Sequence, residues 1–157
     1  MKKSFQELVD NCLKTVKEVF PWDLEDDAQE LSPVLLDIRE PYEFDILHIK
    51  GSMNVPRGIL ELACDYGYDD TIPELVTARD KEVIVICRSG HRSVLAAHTM
   101  QIMGYKSVKS LKTGVKGWND YDLPLQNVNG QEVDCDMADD VLTARVKPEQ
   151  KRPKLPK

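Results

Sequence analysis

Apolar residues near the start of the chain recur in steps of three and four, which is the spacing of one helix face. These residues are Phe5, Leu8, Val9, Cys12, Leu13 and Val16. Ser4 and Glu7 add a capping-box pattern that favours a helix start. We expect this amphipathic helix to dock on the rest of the chain. The alternative is a surface that binds a second copy or a partner.

Further along, short apolar runs alternate with segments of helical pattern. The predicted strands cover residues 16–20, 34–38, 51–55, 83–86 and 107–111. The predicted helices cover residues 21–31, 40–47, 57–65, 72–78, 93–103 and 114–119. Pro21 and Pro41 suit first-turn positions of their helices. Because strands alternate with helices, we predict an α/β fold in which a parallel sheet is covered on both faces.

The regular pattern fades from residue 126 onward. Acidic residues come first and basic residues follow, with prolines between them: Asp134, Asp136, Asp139 and Asp140, then Lys147, Lys151, Arg152, Lys154 and Lys157. Such a composition buries little apolar surface, so we expect a partly mobile extension. Binding of an acidic partner protein by the basic tail is the alternative.

Composition narrows the classes of function. The chain has 157 residues and a net charge of −6, which suits one domain with tails and argues against a nucleic-acid partner. The four cysteines, at positions 12, 64, 87 and 135, show no metal-site spacing, so we expect no metal, no cofactor and free thiols in a cytoplasmic setting. No apolar run approaches ~20 residues, and no signal-peptide pattern follows Lys2 and Lys3, so we expect no membrane attachment.

One short segment carries most of the chemistry. It consists of Cys87, Arg88, Ser89, Gly90, His91, Arg92 and Ser93. A predicted strand precedes it and a predicted helix follows, so loop N–H groups and a helix start surround the sulfur. Both stabilise an anion, and the basic side chains add charge of the same sign. The segment therefore predicts a nucleophilic thiolate beside a site for a small anionic substrate.

Three blocks of the sequence resemble the single-domain rhodanese-like sulfurtransferases. The first is DIREPYEF at 37–44 with HIKGSMNVP at 48–56, the second is CRSGHRS at 87–93, and the third is GVKGW at 114–118 with a following Leu-Pro. The blocks indicate a rhodanese-like domain over residues 16–125. The helix over 1–15 and the extension over 126–157 lie outside the resemblance.

The resemblance implies a central parallel sheet of about five strands and chemistry through a Cys87 persulfide. A donor such as thiosulfate loads the sulfur, and cyanide, a small thiol or a protein thiol accepts it. Each turnover is thus divided into two easier steps. Inward N–H groups from Arg88 to Ser93 suit an anionic persulfide, and Gly90 lets the loop close tightly.

For several side chains in and near this segment, the sequence allows two interpretations. Arg88 and Arg92 either hold the departing sulfite or brace the loop through ion pairs. Candidate bracing residues are Asp37, Arg39 and Glu40, with Asp37 or Glu40 as the partner of Arg92. Asp37 braces either the loop or the end of its own strand. His91 either binds an anion or faces solvent. Cys64 is either a second thiol that resolves the persulfide or a structural cysteine.

Two rival functions remain at this level. Related folds occur in dual-specificity phosphatases and certain arsenate reductases, which place an arginine six positions after the cysteine. Here Arg92 lies five positions after Cys87, and Ser93 occupies the sixth. The loop is therefore one residue shorter and suits a sulfur atom better than a phosphate. The other rival is a noncatalytic interaction module, which the presence of Cys87 disfavours.

Overall fold

The central feature is a parallel sheet whose strand order is β1-β5-β4-β2-β3. A computed structural model describes residues 2–25 and 32–154. Its strands are β1 (Lys17–Val19), β2 (Val34–Asp37), β3 (Met53–Asn54), β4 (Glu82–Ile86) and β5 (Ser107–Leu111). Every pairing between neighbours is parallel. The prediction of an α/β fold with a parallel sheet of about five strands is confirmed.

Eight α-helices accompany the sheet in the described part of the chain. They are α1 (Phe5–Cys12), α2 (Pro21–Glu25), α3 (Pro41–Ile46), α4 (Leu60–Ala63), α5 (Pro73–Val76), α6 (Arg92–Ile102), α7 (Gly114–Asp120) and α8 (Cys135–Leu142). Short 3-10 turns cover Arg57–Ile59 and Pro148–Gln150. The predicted continuation of α2 to residue 31 lies outside the described residues. In the described part, no helix is long and apolar enough to cross a bilayer.

The central strand β4 is buried on both sides, and its alternating side chains contribute to two separate cores. Val83 and Val85 pack in a first core with residues of α1 and α6. Ile84 and Ile86 pack in a second core with residues of α7 and α8. A strand covered on both faces needs a continuous apolar run, which is why this segment does not alternate.

Helix α1 docks on the domain, as expected. Val9 and Cys12 are buried in the first core, and α1 lies against α6. Ser4 and Glu7 close the predicted capping box, with the Ser4 N–H bound to Glu7 and the Glu7 N–H bound to Ser4. The outer face keeps Phe5 half exposed. Packing on the same chain thus explains Val9, Cys12 and Val16 of the stripe, whereas Leu8, like Phe5, stays exposed.

Among the described residues after 126, the buried positions lie on α8. Ala138 and Leu142, four residues apart, are buried in the second core. Asp134 caps the helix by accepting from the N–H groups of Asp136 and Met137. The apolar residues Ala138, Val141 and Leu142 of α8 fall at helical spacing, but the aspartates around them dominated the sequence pattern and no helix was predicted there.

Candidate active site

Cys87 lies at the point where the strand order of the sheet reverses. It directly follows β4, between β2 on one side and β5 on the other. The chain continues outward from β2 to β3, and outward in the opposite direction from β4 to β5. Such a switch point leaves a crevice at the carboxyl ends of parallel strands, where ligands bind.

Three hydrogen-bonding groups of the loop surround the Cys87 sulfur, which is 1% exposed. The N–H of Gly90 donates to Sγ at 3.1 Å and the N–H of Ser93 at 3.3 Å. The Ser93 hydroxyl lies 3.2 Å from Sγ. Donors that converge on a buried sulfur stabilise its anionic form, which is the reactive form of a cysteine.

Three further N–H groups belong to the loop. Within residues 2–25 and 32–154, the N–H groups of Arg88, Ser89 and His91 have no backbone acceptor. Neighbouring free N–H groups in a turn can bind an anion. They remain available to bind an anion.

Two glycines allow the loop to lie close to the turn between β5 and α7. Gly90 has φ +88°, and a Cβ there would come within 2.8 Å of the Thr113 backbone nitrogen. A Cβ on Gly114 would clash with the carbonyl oxygens of Cys87 and Arg88. Those carbonyls accept hydrogen bonds of 2.9 Å from the N–H groups at the start of α7. Only glycine fits such a close approach between backbones.

Arg92 braces the loop, but its partner differs from the expected Asp37 or Glu40. Its guanidinium binds Glu43 of α3 through two hydrogen bonds of 3.0 and 2.9 Å. Burial alone would raise the pKa of Glu43, but Arg92 and the Glu40 N–H together hold it below its usual value. The hydrogen bond to Glu43 in turn raises the pKa of Arg92. The first residue of α6 is therefore tied to α3.

In the described residues, the other candidate bracing residues make no hydrogen bond to the Cys87 loop, and Asp37 braces the end of its own strand, which is one of the two roles expected for it. Asp37 and Arg39 form a fully buried pair at 2.8 Å, and Arg39 also donates to the Leu47 carbonyl. This pair stabilises the turn after β2. Glu40 is exposed, and its N–H donates to Glu43 at the start of α3. A buried, fully bonded ion pair fixes a local conformation without touching the nucleophile.

Arg88 lies on a cleft beside the Cys87 loop. It is partly exposed, and in the described residues it forms no ion pair. It lines a cleft of about 550 Å³ together with Phe5, Glu40, Tyr42, Glu43, Ser89, His91 and Arg92. His91 is exposed, and its ring meets that of Phe5 edge-on at 6.2 Å. Helix α1 therefore forms one wall of the cleft.

The surroundings of Cys64 are those of a structural cysteine. It is buried in the first core, and burial raises the pKa of its thiol. A raised pKa keeps the thiol protonated and unreactive. Among the described residues, no group of His, Cys, Asp and Glu side chains is arranged to hold a metal ion.

Ser110 of β5 belongs to the site and was missed from the sequence. Its Oγ lies 2.7 Å from the Ser93 Oγ, and both serines are fully buried. Its only sequence signal is a small polar residue in a buried strand. That signal does not reveal a contact with a residue 17 positions earlier.

The Glu43–Arg92 pair predicts a pH-dependent stability. Glu43→Gln should lower the free energy of unfolding at pH 7 by roughly 0.5–1 kcal/mol, after allowance for the partly exposed Arg92. The folded-state pKa of Glu43 lies below the usual 4.5, so the contribution is present above pH 4.5 and is lost as the pH falls through the folded value. Urea unfolding of both proteins at several pH values measures it. Glu61→Gln, which breaks the more exposed pair with Arg57, is the matched control. Equal stability of wild type and Glu43→Gln at pH 7 would contradict the bracing role.

Comparisons with known proteins identify the fold and part of the chemistry. The "Rhodanese-like domain" family matches residues 21–121. The chain is 34% identical over 84 residues to the "Putative sulfur carrier protein YrkF" of Bacillus subtilis. It is 35% identical over 92 residues to the "Putative thiosulfate sulfurtransferase, mitochondrial" of Schizosaccharomyces pombe. These matches cover 54% and 57% of the chain, and 40% and 65% of the two relatives.

Two solved structures share the architecture. Thiosulfate sulfurtransferase of Pseudomonas aeruginosa superimposes with a TM-score of 0.61 at 26% identity, over 81% of this chain and 22% of the other. A Rhodopseudomonas palustris protein of unknown function, described as a "Possible Tyrosine Phosphatase", gives 0.69 at 29% identity, over 80% of this chain and 96% of the other. The matched region contains β2 to β5 and the whole Cys87 loop, and it covers more than half of the sequence. The chain therefore belongs to the family of rhodanese-like domains.

Proposed function

We propose that the chain is a sulfurtransferase that carries sulfane sulfur as a persulfide on Cys87. The observation that supports this most directly is the pair of backbone N–H groups, from Gly90 and Ser93, that donate to Sγ. In the first step the Cys87 thiolate attacks the outer sulfur of thiosulfate. The sulfur–sulfur bond of the donor breaks, and sulfite leaves with the electron pair. In the second step an acceptor thiolate takes the outer sulfur, and the electron pair of the broken bond returns to Sγ.

The donor is a small anion of the thiosulfate type. Arg88 faces the cleft without an ion pair in the described residues, whereas Arg92 is neutralised by Glu43. A planar guanidinium binds the oxygens of an anion through paired, charge-assisted hydrogen bonds. The local positive charge contrasts with the net charge of −6. Two relatives named as thiosulfate sulfurtransferases support the same donor.

The acceptor is cyanide, a small thiol or a protein thiol, in a cytoplasmic setting. A cleft of about 550 Å³ is in the size range of small-molecule sites. Cys87 itself is buried, so an acceptor must bring a narrow reactive group to the sulfur. The relative described as a sulfur carrier supports transfer between proteins as one use of this chemistry.

Mass spectrometry after thiosulfate treatment tests the proposed function. The protein should gain one sulfur atom, located on the peptide that contains Cys87, and should lose it when cyanide or a thiol is added. The Cys87→Ser protein, treated in parallel, should gain none. Absence of sulfur on the wild-type protein, or sulfur on Cys64 or Cys135 instead, would contradict the assignment.

Phosphatase activity is the alternative that one structural neighbour suggests. Two features of this chain disfavour it: Arg92 is bound to Glu43, and only five residues separate Cys87 from Ser93 and the body of α6. We expect no turnover of small aryl phosphates by a preparation that loads sulfur, because the loop is too short to enclose a phosphoryl group at Sγ, whereas only the outer sulfur of thiosulfate has to reach Sγ. Release of aryl alcohol, compared with Cys87→Ser, measures it. Turnover that depends on Cys87 would favour the phosphatase instead.

A further inference from the structure

A buried chain of hydrogen bonds continues from the nucleophile into the sheet. Cys87 Sγ lies 3.2 Å from the Ser93 Oγ, which lies 2.7 Å from the Ser110 Oγ. Both serines are 0% exposed and Cys87 is 1% exposed. In the described residues, Ser110 makes no other side-chain hydrogen bond. This chain of hydrogen bonds therefore ends at Ser110 and is separated from solvent.

The number of hydrogens in this chain of hydrogen bonds depends on the charge of the Cys87 sulfur. With a neutral thiol, Cys87 Sγ, Ser93 Oγ and Ser110 Oγ carry one hydrogen each, but only two hydrogen-bonding contacts join the three atoms. One hydrogen is then left without an acceptor in a buried site, which is unfavourable. With a thiolate, Ser110 donates to Ser93, and Ser93 donates to Sγ. Both remaining hydrogens are then hydrogen-bonded, so all hydrogens of the two serines have acceptors when the sulfur is an anion.

The persulfide differs from the thiolate at the same atom. Once sulfur is loaded, the negative charge lies on the outer sulfur, and Sγ becomes a neutral bridging atom. A donor that points at Sγ is then worth less than it is in the unloaded enzyme, because hydrogen bonds to charged acceptors are the stronger ones. The serine chain therefore favours the unloaded thiolate over both the thiol and the persulfide.

We propose that Ser110 is a positioning residue for sulfur transfer, which acts through Ser93 to stabilise the Cys87 thiolate and thereby favours discharge of the persulfide. The proposal rests on the sulfurtransferase function. When an acceptor thiolate bonds to the outer sulfur, the electron pair of the broken bond collects on Sγ. At that moment Ser110 donates to Ser93 and fixes its hydroxyl hydrogen toward Sγ. Ser110 itself never touches the reacting atoms.

Ser110→Ala, which removes one oxygen, tests the proposal with two measurements. The first is the rate of Cys87 alkylation against pH, followed on the Cys87 peptide by mass spectrometry. The second is the ratio of loaded to unloaded protein at a fixed ratio of thiosulfate to sulfite. We expect the alkylation midpoint to move to higher pH and the loaded fraction to increase, each by about two- to tenfold in the equilibrium constant, as for one neutral hydrogen bond.

Three variants separate this role from a purely structural one. Ser110→Thr keeps the hydroxyl and should restore both measurements, whereas Ser107→Ala on the same strand should change neither. If Ser110→Ala does not fold, Ser110→Cys provides a weaker donor and should shift both measurements in the same direction. A folded Ser110→Ala protein with wild-type midpoint and wild-type loading overturns the proposal. A wild-type protein that loads no sulfur overturns the proposed function instead, and the alkylation profile still reports on Ser110.

Discussion

Cys87→Ser is expected to reduce thiosulfate:cyanide sulfur transfer to the uncatalysed background. A serine hydroxyl is not appreciably ionised at neutral pH, so the donors from Gly90 and Ser93 have no anion to stabilise. The fold should survive, because an oxygen replaces a sulfur of similar size at a site already surrounded by donors. Thiocyanate formation and the mass of the treated protein measure the loss, and thermal unfolding verifies the fold.

Two other cysteines provide matched controls for this experiment. Cys64 is buried with a raised pKa, and Cys135 is exposed on α8. Cys64→Ala should retain most of the activity at some cost in stability, and Cys135→Ser should behave like the wild type. Sulfur transfer that persists in Cys87→Ser, or that disappears in Cys64→Ala while the protein remains folded, would reassign the nucleophile.

The parts of the fold that depend on local pattern could be predicted from the sequence. The strand at 107–111 was expected with the bounds that the structure shows, and β4 extends the expected strand by one residue to Glu82. The β4 segment is a short apolar run, and the β5 segment, in which Val108 and Leu111 are the apolar residues, is a short stretch between two helical segments. The position of Cys87 at the carboxyl end of β4 followed from the same pattern. The order of the strands was not predicted, because it depends on tertiary pairing that local pattern does not show.

The side-chain partners at the site could not be predicted in the same way. Arg92 and Glu43 are 49 positions apart, and their contact depends on how α3 and α6 lie against each other. Ser110 meets Ser93 only because β5 pairs with β4. Gly114 was noted within a motif, but its close contact with the Cys87 loop requires the packed backbone. Such contacts are products of tertiary structure, and local periodicity carries no information about them.

Arg88→Ala is expected to lower kcat/KM for thiosulfate by roughly 10- to 150-fold, chiefly through a higher KM. This range is what the loss of one charge-assisted hydrogen-bonded contact costs. Arg88 lines the cleft and is free of ion pairs in the described residues, so its removal leaves no buried partner without a charge. The fold should therefore be unaffected. Initial rates at several thiosulfate concentrations measure the effect.

The shape of the side chain separates a specific contact from a general electrostatic effect. Arg88→Lys should recover only part of the activity, because an ammonium group cannot make the paired contacts of a guanidinium.

Lys112 is the matched control: it is an exposed cation above the Phe20 ring, beside a neighbouring cleft. Lys112→Ala should change kcat/KM little, since a solvated surface charge contributes weakly at physiological salt. If Arg88→Ala and Lys112→Ala cause equal, modest losses that added salt removes, Arg88 acts only by attracting anions. Full recovery in Arg88→Lys would likewise show that the planar contact with the donor is not required.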